Sequence, residues 1–175
     1  QGVDFTTKEM EWGTAQEPYS RMAYEMATDR MVEESGFVYL PNIEAGCSVD
    51  GFIRDDGRFG IWESKSPKSK THLSYLMGNK LPSTYIAQVE HNLWITGAQF
   101  CDFVSFDPRM PEPLQLFITR YERDEARHVV LHGYDEAATK RRRAEFAVLP
   151  AHEANLRLTA ADRILDHLGL RTRLF

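Results

Sequence analysis

Cysteine is nearly absent from this chain. Cys47 and Cys101 are the only two in 175 residues, too few for a disulfide framework or a Cys-based zinc or iron–sulfur site. A reducing cytosol suits them. No apolar run approaches the ~18 residues needed to cross a bilayer, so no membrane partner is expected. There is no basic-then-apolar leader. The chain opens on Gln1 rather than Met, and the expectation is a processed, trimmed or incomplete start. Positive charge is also short: Lys and Arg total 21 against 26 Asp and Glu, a net charge of -5. That balance argues against gripping nucleic acid with the whole surface and leaves only local basic patches. The six histidines are scattered and none stands in an HExxH motif, so zinc is not expected. There is no Gly-rich phosphate loop for ATP-driven work, no repeat and no low-complexity stretch.

What is present fits one ordinary globular domain over residues 1–175, with 42% hydrophobic and 27% charged residues. Ala15, Tyr19, Met22, Ala23, Met26, Ala27 and Met31 recur at helical spacing, which predicts a helix from Thr14 to Glu34. Thr14 and Glu17 form a capping-box pattern, Pro18 falls in the first turn, and Gly36 ends the helix. Strands are predicted at Phe37–Leu40, Cys47–Ile53 and Gly60–Ser66, with a turn at Asp56-Gly57. Residues 67–81, broken by Pro67 and Gly78, read as a loop. Pro82 opens a second helix to about Thr96, closed by Gly97. Phe100–Phe106 and Leu114–Thr119 read as strands, the first buried on both faces. From Tyr121 the text turns charged and helical. This order indicates an α/β or α+β sheet with helices packed on it.

The hairpin carries the chemistry. With Asp56-Gly57 at the turn, Asp50 stands directly opposite Glu63. Opposed residues have Cβ atoms ~4.5–5.5 Å apart on one face, and Lys65 shares that face with Glu63. Two facing carboxylates repel, so something must compensate. One answer is a hard divalent cation, Mg²⁺ or Mn²⁺, which activates water and neutralises charge on a phosphate. The other is a solvated hairpin in which Lys65 pairs with both acids for under ~1 kcal/mol.

Asp50 followed by Glu63-Ser64-Lys65 resembles the PD-(D/E)xK nuclease core. The wider text is more specific. Trp12-Gly13 with Glu17, Gly46 to Gly51, Glu63 to Pro67, Pro82 with Tyr85 and Gln88-Val89, Thr96-Gly97, Cys101 to Phe103 and Phe106 to Arg109 are similar in order to the lambda-exonuclease, YqaJ-type branch, the phage alkaline exonucleases. The resemblance covers about residues 12–125 and leaves a C-terminal helical extension at about 126–175. It implies a restriction-endonuclease-like α/β fold, a mixed central sheet flanked by helices. It implies a Mg²⁺-dependent exonuclease that digests linear double-stranded DNA from 5′ ends, leaving 3′ single strands for phage recombination. Glu17, Asp50, Glu63 and the Ser64 carbonyl would hold the metal, Lys65 would assist the attacking water, and Gln88 would stand at the edge of the site. The resemblance also implies a ring-shaped homotrimer around DNA and a single-strand annealing protein as partner. Val49 replaces the family's usual Pro, and Ser64 and Ser66 replace an apolar residue and Cys. No counterpart is found of the preceding segment whose Arg and Ser/Thr grip a 5′ phosphate.

Several residues keep a second reading. Glu17 also suits a first helical turn, where an acid complements the macrodipole. Gln88 also fits a satisfied core polar group, and Tyr85 either packs in the core or touches DNA. Lys68, Lys70, His72 and Lys80 offer phosphate contacts in the loop after the catalytic strand. Lys140-Arg141-Arg142-Arg143 is a second basic run, on a helix surface or against DNA or another subunit. Cys47 and Cys101 read as small apolar residues packed in strands. The rival functions are another nuclease of the superfamily, endonucleolytic or single-strand-specific, and a DNA-binding or assembly subunit without turnover.

Overall fold

The computed structural model describes residues 7–40 and 45–124. The proposed extension at 126–175 and the basic run at 140–143 lie outside them. Helix α1 (Lys8–Thr28) comes first, followed by β1 (Val32–Glu34), β2 (Phe37–Leu40), β3 (Ala45–Ser48), β4 (Gly51–Asp55) and β5 (Arg58–Lys65). Helices α2 (Ser69–Gly78) and α3 (Ser83–Thr96) connect to β6 (Phe100–Phe106), and a short 3₁₀ turn (Glu112–Leu114) leads to β7 (Leu116–Glu122). Among the described residues no helix is long and apolar enough to cross a membrane.

The main sheet has five strands in the order β1-β4-β5-β6-β7, and β2 and β3 form a separate two-stranded sheet. The pair β5–β6 is parallel and its neighbours are antiparallel. A parallel pair needs a long crossover, which α2 and α3 supply. Every residue of β6 is buried, as its imperfect polar–apolar alternation predicts. Below its α3-side face lie Ile61, Val89, Leu93, Cys101 and Phe103; on the α1 side Tyr24, Val32, Ile53, Trp62, Phe100 and Val104 form a second cluster. Period-2 alternation thus sends Glu63 and Lys65 to the α3 side and Trp62 and Ser64 to the α1 side.

Several sequence expectations move. Helix α1 begins before Thr14, because Thr7 caps it by accepting from the Met10 N–H at 3.2 Å. Pro18 therefore lies well inside the helix, not in its first turn. The helix ends at Asp29, in the left-handed region at φ 55°, ahead of Gly36, because Val32–Glu34 is drawn into the sheet against β4. The expected strand Cys47–Ile53 is two strands, β3 and β4, broken at Val49 and Asp50. The expected loop 67–81 contains α2: Ser69 bonds Asp107, and buried His72 bonds the Ser105 hydroxyl at 2.7 Å and the Leu114 carbonyl at 2.8 Å. Strand β7 starts later than Leu114 and runs on to Glu122, since its pairing with β6 continues to Glu122 opposite Phe100. Tyr121 is thus strand, not helix. The Asp56-Gly57 turn and its register are as expected, with Asp55 opposite Arg58 and Gly51 opposite Trp62. Both turn residues have positive φ, 49° and 75°, the type I′ requirement that favours Asp-Gly. Helix α3, closed by Gly97, and both buried cysteines also stand as read.

Helix α1 is fastened by a buried charge network. Tyr24 donates to Asp102 at 2.7 Å, and Arg120 grips the same carboxylate through Nε at 2.6 Å and Nη2 at 2.8 Å. Arg120 also bonds Asp55 at 2.6 Å and stacks 3.9 Å from the centre of the Phe100 ring. A buried carboxylate is tolerated only when paired and hydrogen-bonded in this way. At the other end of α1, Arg109 lies 4.8 Å above the Trp12 ring, donates to the Pro67 carbonyl at 2.9 Å and pairs with buried Asp107.

Two stability predictions follow from this packing. A Cβ at Gly60 would run into the ring of buried Phe100. Gly60→Ala therefore forces an aromatic out of place and is expected to lower unfolding free energy by ~1–3 kcal/mol in a denaturant titration. Burial raises the Asp107 pKa, but the bonds from Arg109 and Ser69 outweigh it and hold the carboxyl down to about 2. Below about pH 4 the unfolded chain takes up a proton at this Asp that the folded chain refuses until about pH 2. Stability present above pH 4 is thus lost as pH falls to 2, and Asp107→Asn should flatten that acid limb of a stability–pH profile.

Candidate active site

The site forms where β4 stops short of β5. Their ladder ends at Gly51 opposite Trp62, because the chain bends at Asp50 and β3 turns away to pair with β2. One step beyond, the Asp50 carboxylate takes the place of a ladder partner and accepts the Ser64 N–H at 2.7 Å. Residues Glu63–Lys65 keep β6 on one flank and face Asp50 on the other.

Glu63 is almost fully buried and pairs with Lys65 through Oε1. The same oxygen accepts from the Gln88 amide at 2.9 Å, and Oε2 accepts from Asn92 at 3.3 Å. Burial raises the Glu63 pKa and nearby Asp50 adds to it, while Lys65 opposes both. Burial alone would lower the Lys65 pKa, but Glu63 and Asp50 outweigh it and raise it, so the ammonium stays charged. Its Nζ lies 5.7 Å from the centre of the Tyr85 ring, which packs on Phe103 at 5.1 Å. Tyr85 is thus both half-buried packing and a wall beside Lys65.

Glu17 approaches from α1 on the other face of the sheet. Burial raises its pKa first and the Asp50 charge second. Its carboxylate has no hydrogen bond or ion pair among the described residues. Its position well inside α1 overturns the first-turn reading. Ser20, one turn on, is fully buried, and its hydroxyl meets that of Ser64 at 2.7 Å.

The outer residues divide. Lys68 and Lys70 are exposed on the approach to α2 and in its first turn, and Lys80 is exposed beyond its end; Lys68 stands 3.5 Å from Glu9. His72 is buried behind them, so the expectation of a phosphate contact there is wrong: its ring is a core strut. Gln88 is exposed, so it is not a core polar group. Asn92 and Ser20 were missed. Their signal was spacing, since Asn92 follows Gln88 by four residues and Ser20 follows Glu17 by three, each pair sharing a helix face.

No three His, Cys, Asp or Glu side chains among the described residues converge closely enough to hold an ion as they stand. The donor chemistry nevertheless fits one class. The site offers oxygen donors only, with mutually repelling acids and a partnerless Glu17 carboxylate. Such a set suits Mg²⁺ or Mn²⁺ rather than a thiolate- or imidazole-bound metal.

Comparisons with known proteins agree on the lineage. The chain is similar over 95% of its length to the crystal structure of an alkaline exonuclease, LHK-Exo, from Laribacter hongkongensis, with 32% identity, 79% of that chain covered and a TM-score of 0.65. LHK-Exo in complex with dAMP matches alike, at 31% identity, 96% and 78% coverage and a TM-score of 0.65. A phage related exonuclease from Haemophilus somnus 129PT shares the fold at 11% identity, 92% and 77% coverage and a TM-score of 0.50. No curated protein matches the chain. The fold is the mixed α/β core of PD-(D/E)xK-type phage exonucleases. The YqaJ-like viral recombinase domain model matches residues 1–99, and the chain belongs to that family.

Proposed function

We propose that this protein is a Mg²⁺-dependent exonuclease that digests linear double-stranded DNA from 5′ ends and leaves 3′ single strands for phage-type recombination. The observation that carries this reading is the gathering of Asp50, Glu63, Lys65 and Gln88 at one break in the sheet, in a chain of the recombinase family. Asp50, Glu63, Glu17 and the Ser64 carbonyl would hold the cation, with Mn²⁺ an acceptable substitute. In an extended strand a residue's N–H and C=O point to the same side, so the Ser64 carbonyl shares the flank on which Asp50 meets its N–H. A divalent cation there supplies a more acidic water and offsets charge developing on the phosphate.

The chain's own residues do the rest. Lys65 keeps its proton beside Glu63 and presents a fixed positive charge where the attacking water and the phosphate's developing negative charge would lie. Gln88 and Asn92 hold the Glu63 carboxylate in one orientation, so little reorganisation is needed at the moment of reaction. Tyr85 closes one side and can stack against a base or sugar. Lys68, Lys70 and Lys80 give the acidic chain a local basic approach for the DNA backbone. The family resemblance supports a homotrimer around the duplex, a single-strand annealing partner and a site of action in the host cytoplasm.

Digestion of end-labelled linear duplex tests this reading. Mononucleotides should be released from 5′-phosphorylated ends in Mg²⁺ and not in EDTA, and a circular duplex should resist. Lys65→Ala should lower the rate by ~10²–10³-fold, the scale of removing one group that stabilises developing charge, with folding unchanged by circular dichroism. Cleavage of circular DNA, or of single strands alone, would instead support another nuclease of the superfamily. Binding of DNA without cleavage by a folded protein would refute the enzyme.

A further inference from the structure

We propose that Ser20, through its hydrogen bond to Ser64, is a positioning residue that sets Glu17 at the exposed flank of β5. The proposal rests on the metal-dependent reading above and deepens it. Three connections meet at Ser64. It sits covalently between Glu63 and Lys65, its N–H donates to Asp50 at 2.7 Å, and its hydroxyl meets that of Ser20 at 2.7 Å. Among the described residues this hydroxyl pair is the hydrogen bond that joins α1 to β5.

The helix geometry makes that bond matter for Glu17. Residues three apart have Cβ atoms ~5–6 Å apart on one face, so Glu17, Ser20 and Tyr24 form one inward row. Tyr24 is held by Asp102 at 2.7 Å and Trp12 lies under Arg109 at 4.8 Å, which fix the two ends of the segment. Between them the helix is weakened where Glu17 sits. Pro18 has no N–H to return to the Thr14 carbonyl, and a proline inside a helix also crowds that carbonyl. The local backbone therefore gives Glu17 less support than a normal turn would. Among the described residues the Glu17 carboxylate makes no hydrogen bond or ion pair of its own. Its placement depends on its neighbour one turn on. Ser20 is fully buried, where alanine would pack as well and leave no hydroxyl to satisfy.

The test separates position from stability. Ser20→Ala leaves the Ser64 hydroxyl without its partner and should lower Tm; adding Ser64→Ala removes that orphan and should recover most of the loss. Mg²⁺ alone is titrated into each full-length variant by calorimetry, and the Mg²⁺ midpoint for digestion is measured beside it. Both Ser20→Ala and the double variant should bind Mg²⁺ ~10-fold more weakly, the low end for outer-shell partners of a metal. Ser20→Thr, which keeps the hydroxyl, should bind within about twofold of the parent. Glu17→Gln should weaken binding at least as much as Ser20→Ala. A double variant with parental Mg²⁺ affinity, while Glu17→Gln is impaired, would overturn the role of Ser20 and leave the metal reading intact. Parental affinity in both Glu17→Gln and Asp50→Asn would overturn the metal reading and this proposal together.

Discussion

The interruption of the β3–β4 text at Asp50 is the constraint on which the site depends. A strand that continued straight would have paired Asp50 with Glu63 in a closed ladder. The chain instead bends after buried Val49, and β3 leaves to pair with β2. The backbone of β5 beyond Trp62 is then without a strand on one flank, and an unpaired buried N–H is expensive. Asp50 answers that need at Ser64 with a side chain rather than a backbone carbonyl. A carboxylate is thereby fixed at the sheet break, beside Glu63 and Lys65.

The rest of the molecule serves to hold this break in place. Strand β6 supports β5 from the other flank from Gly60 to Lys65, with Lys65 opposite Ser105. Ser105 is tied to His72 of α2, and Asp107 just beyond it ties Arg109 and Ser69. Helix α3 supplies Gln88 and Asn92 on one face, and α1 supplies Glu17 and Ser20 on the other. Residues from both faces of the sheet can meet only at an edge or a gap, and the break at Asp50 is that gap.

Electrostatics give the arrangement its tension. Three acids and one lysine share a partly buried region, and burial raises the pKa of both Glu17 and Glu63. Lys65 pairs directly with Glu63, and its charge also acts on Asp50 and Glu17. The chain carries a net charge of -5, and Lys68, Lys70 and Lys80 stand out as exposed positive charges around α2. The far network of Asp102, Arg120, Asp55 and Tyr24 is different in kind. Its charges pair internally and its effect is to fasten α1.

Much of this was legible in the residue order because its causes are local. Asp56-Gly57 has the φ freedom that one turn type demands, and strand alternation then fixes which residues oppose; Asp50, Glu63 and Lys65 could therefore be placed together from spacing alone. The family's ordered blocks added Glu17 and Gln88. The remainder had no local cause. His72 reads as polar until Ser105 and Leu114, more than thirty residues away, bury it, and α2 read as a loop for the same reason. Strand β1 is a strand only because β4 lies beside it. The start and end of α1 moved because Thr7 caps it early and the sheet takes Val32. Ser20, Asn92 and the Asp102–Arg120 pair matter through partners distant in sequence. Sequence by itself determined turn type and strand phase, since these depend on neighbours along the chain. Only tertiary structure decided the break in the sheet and which side chains hold the acids, since those depend on neighbours in space.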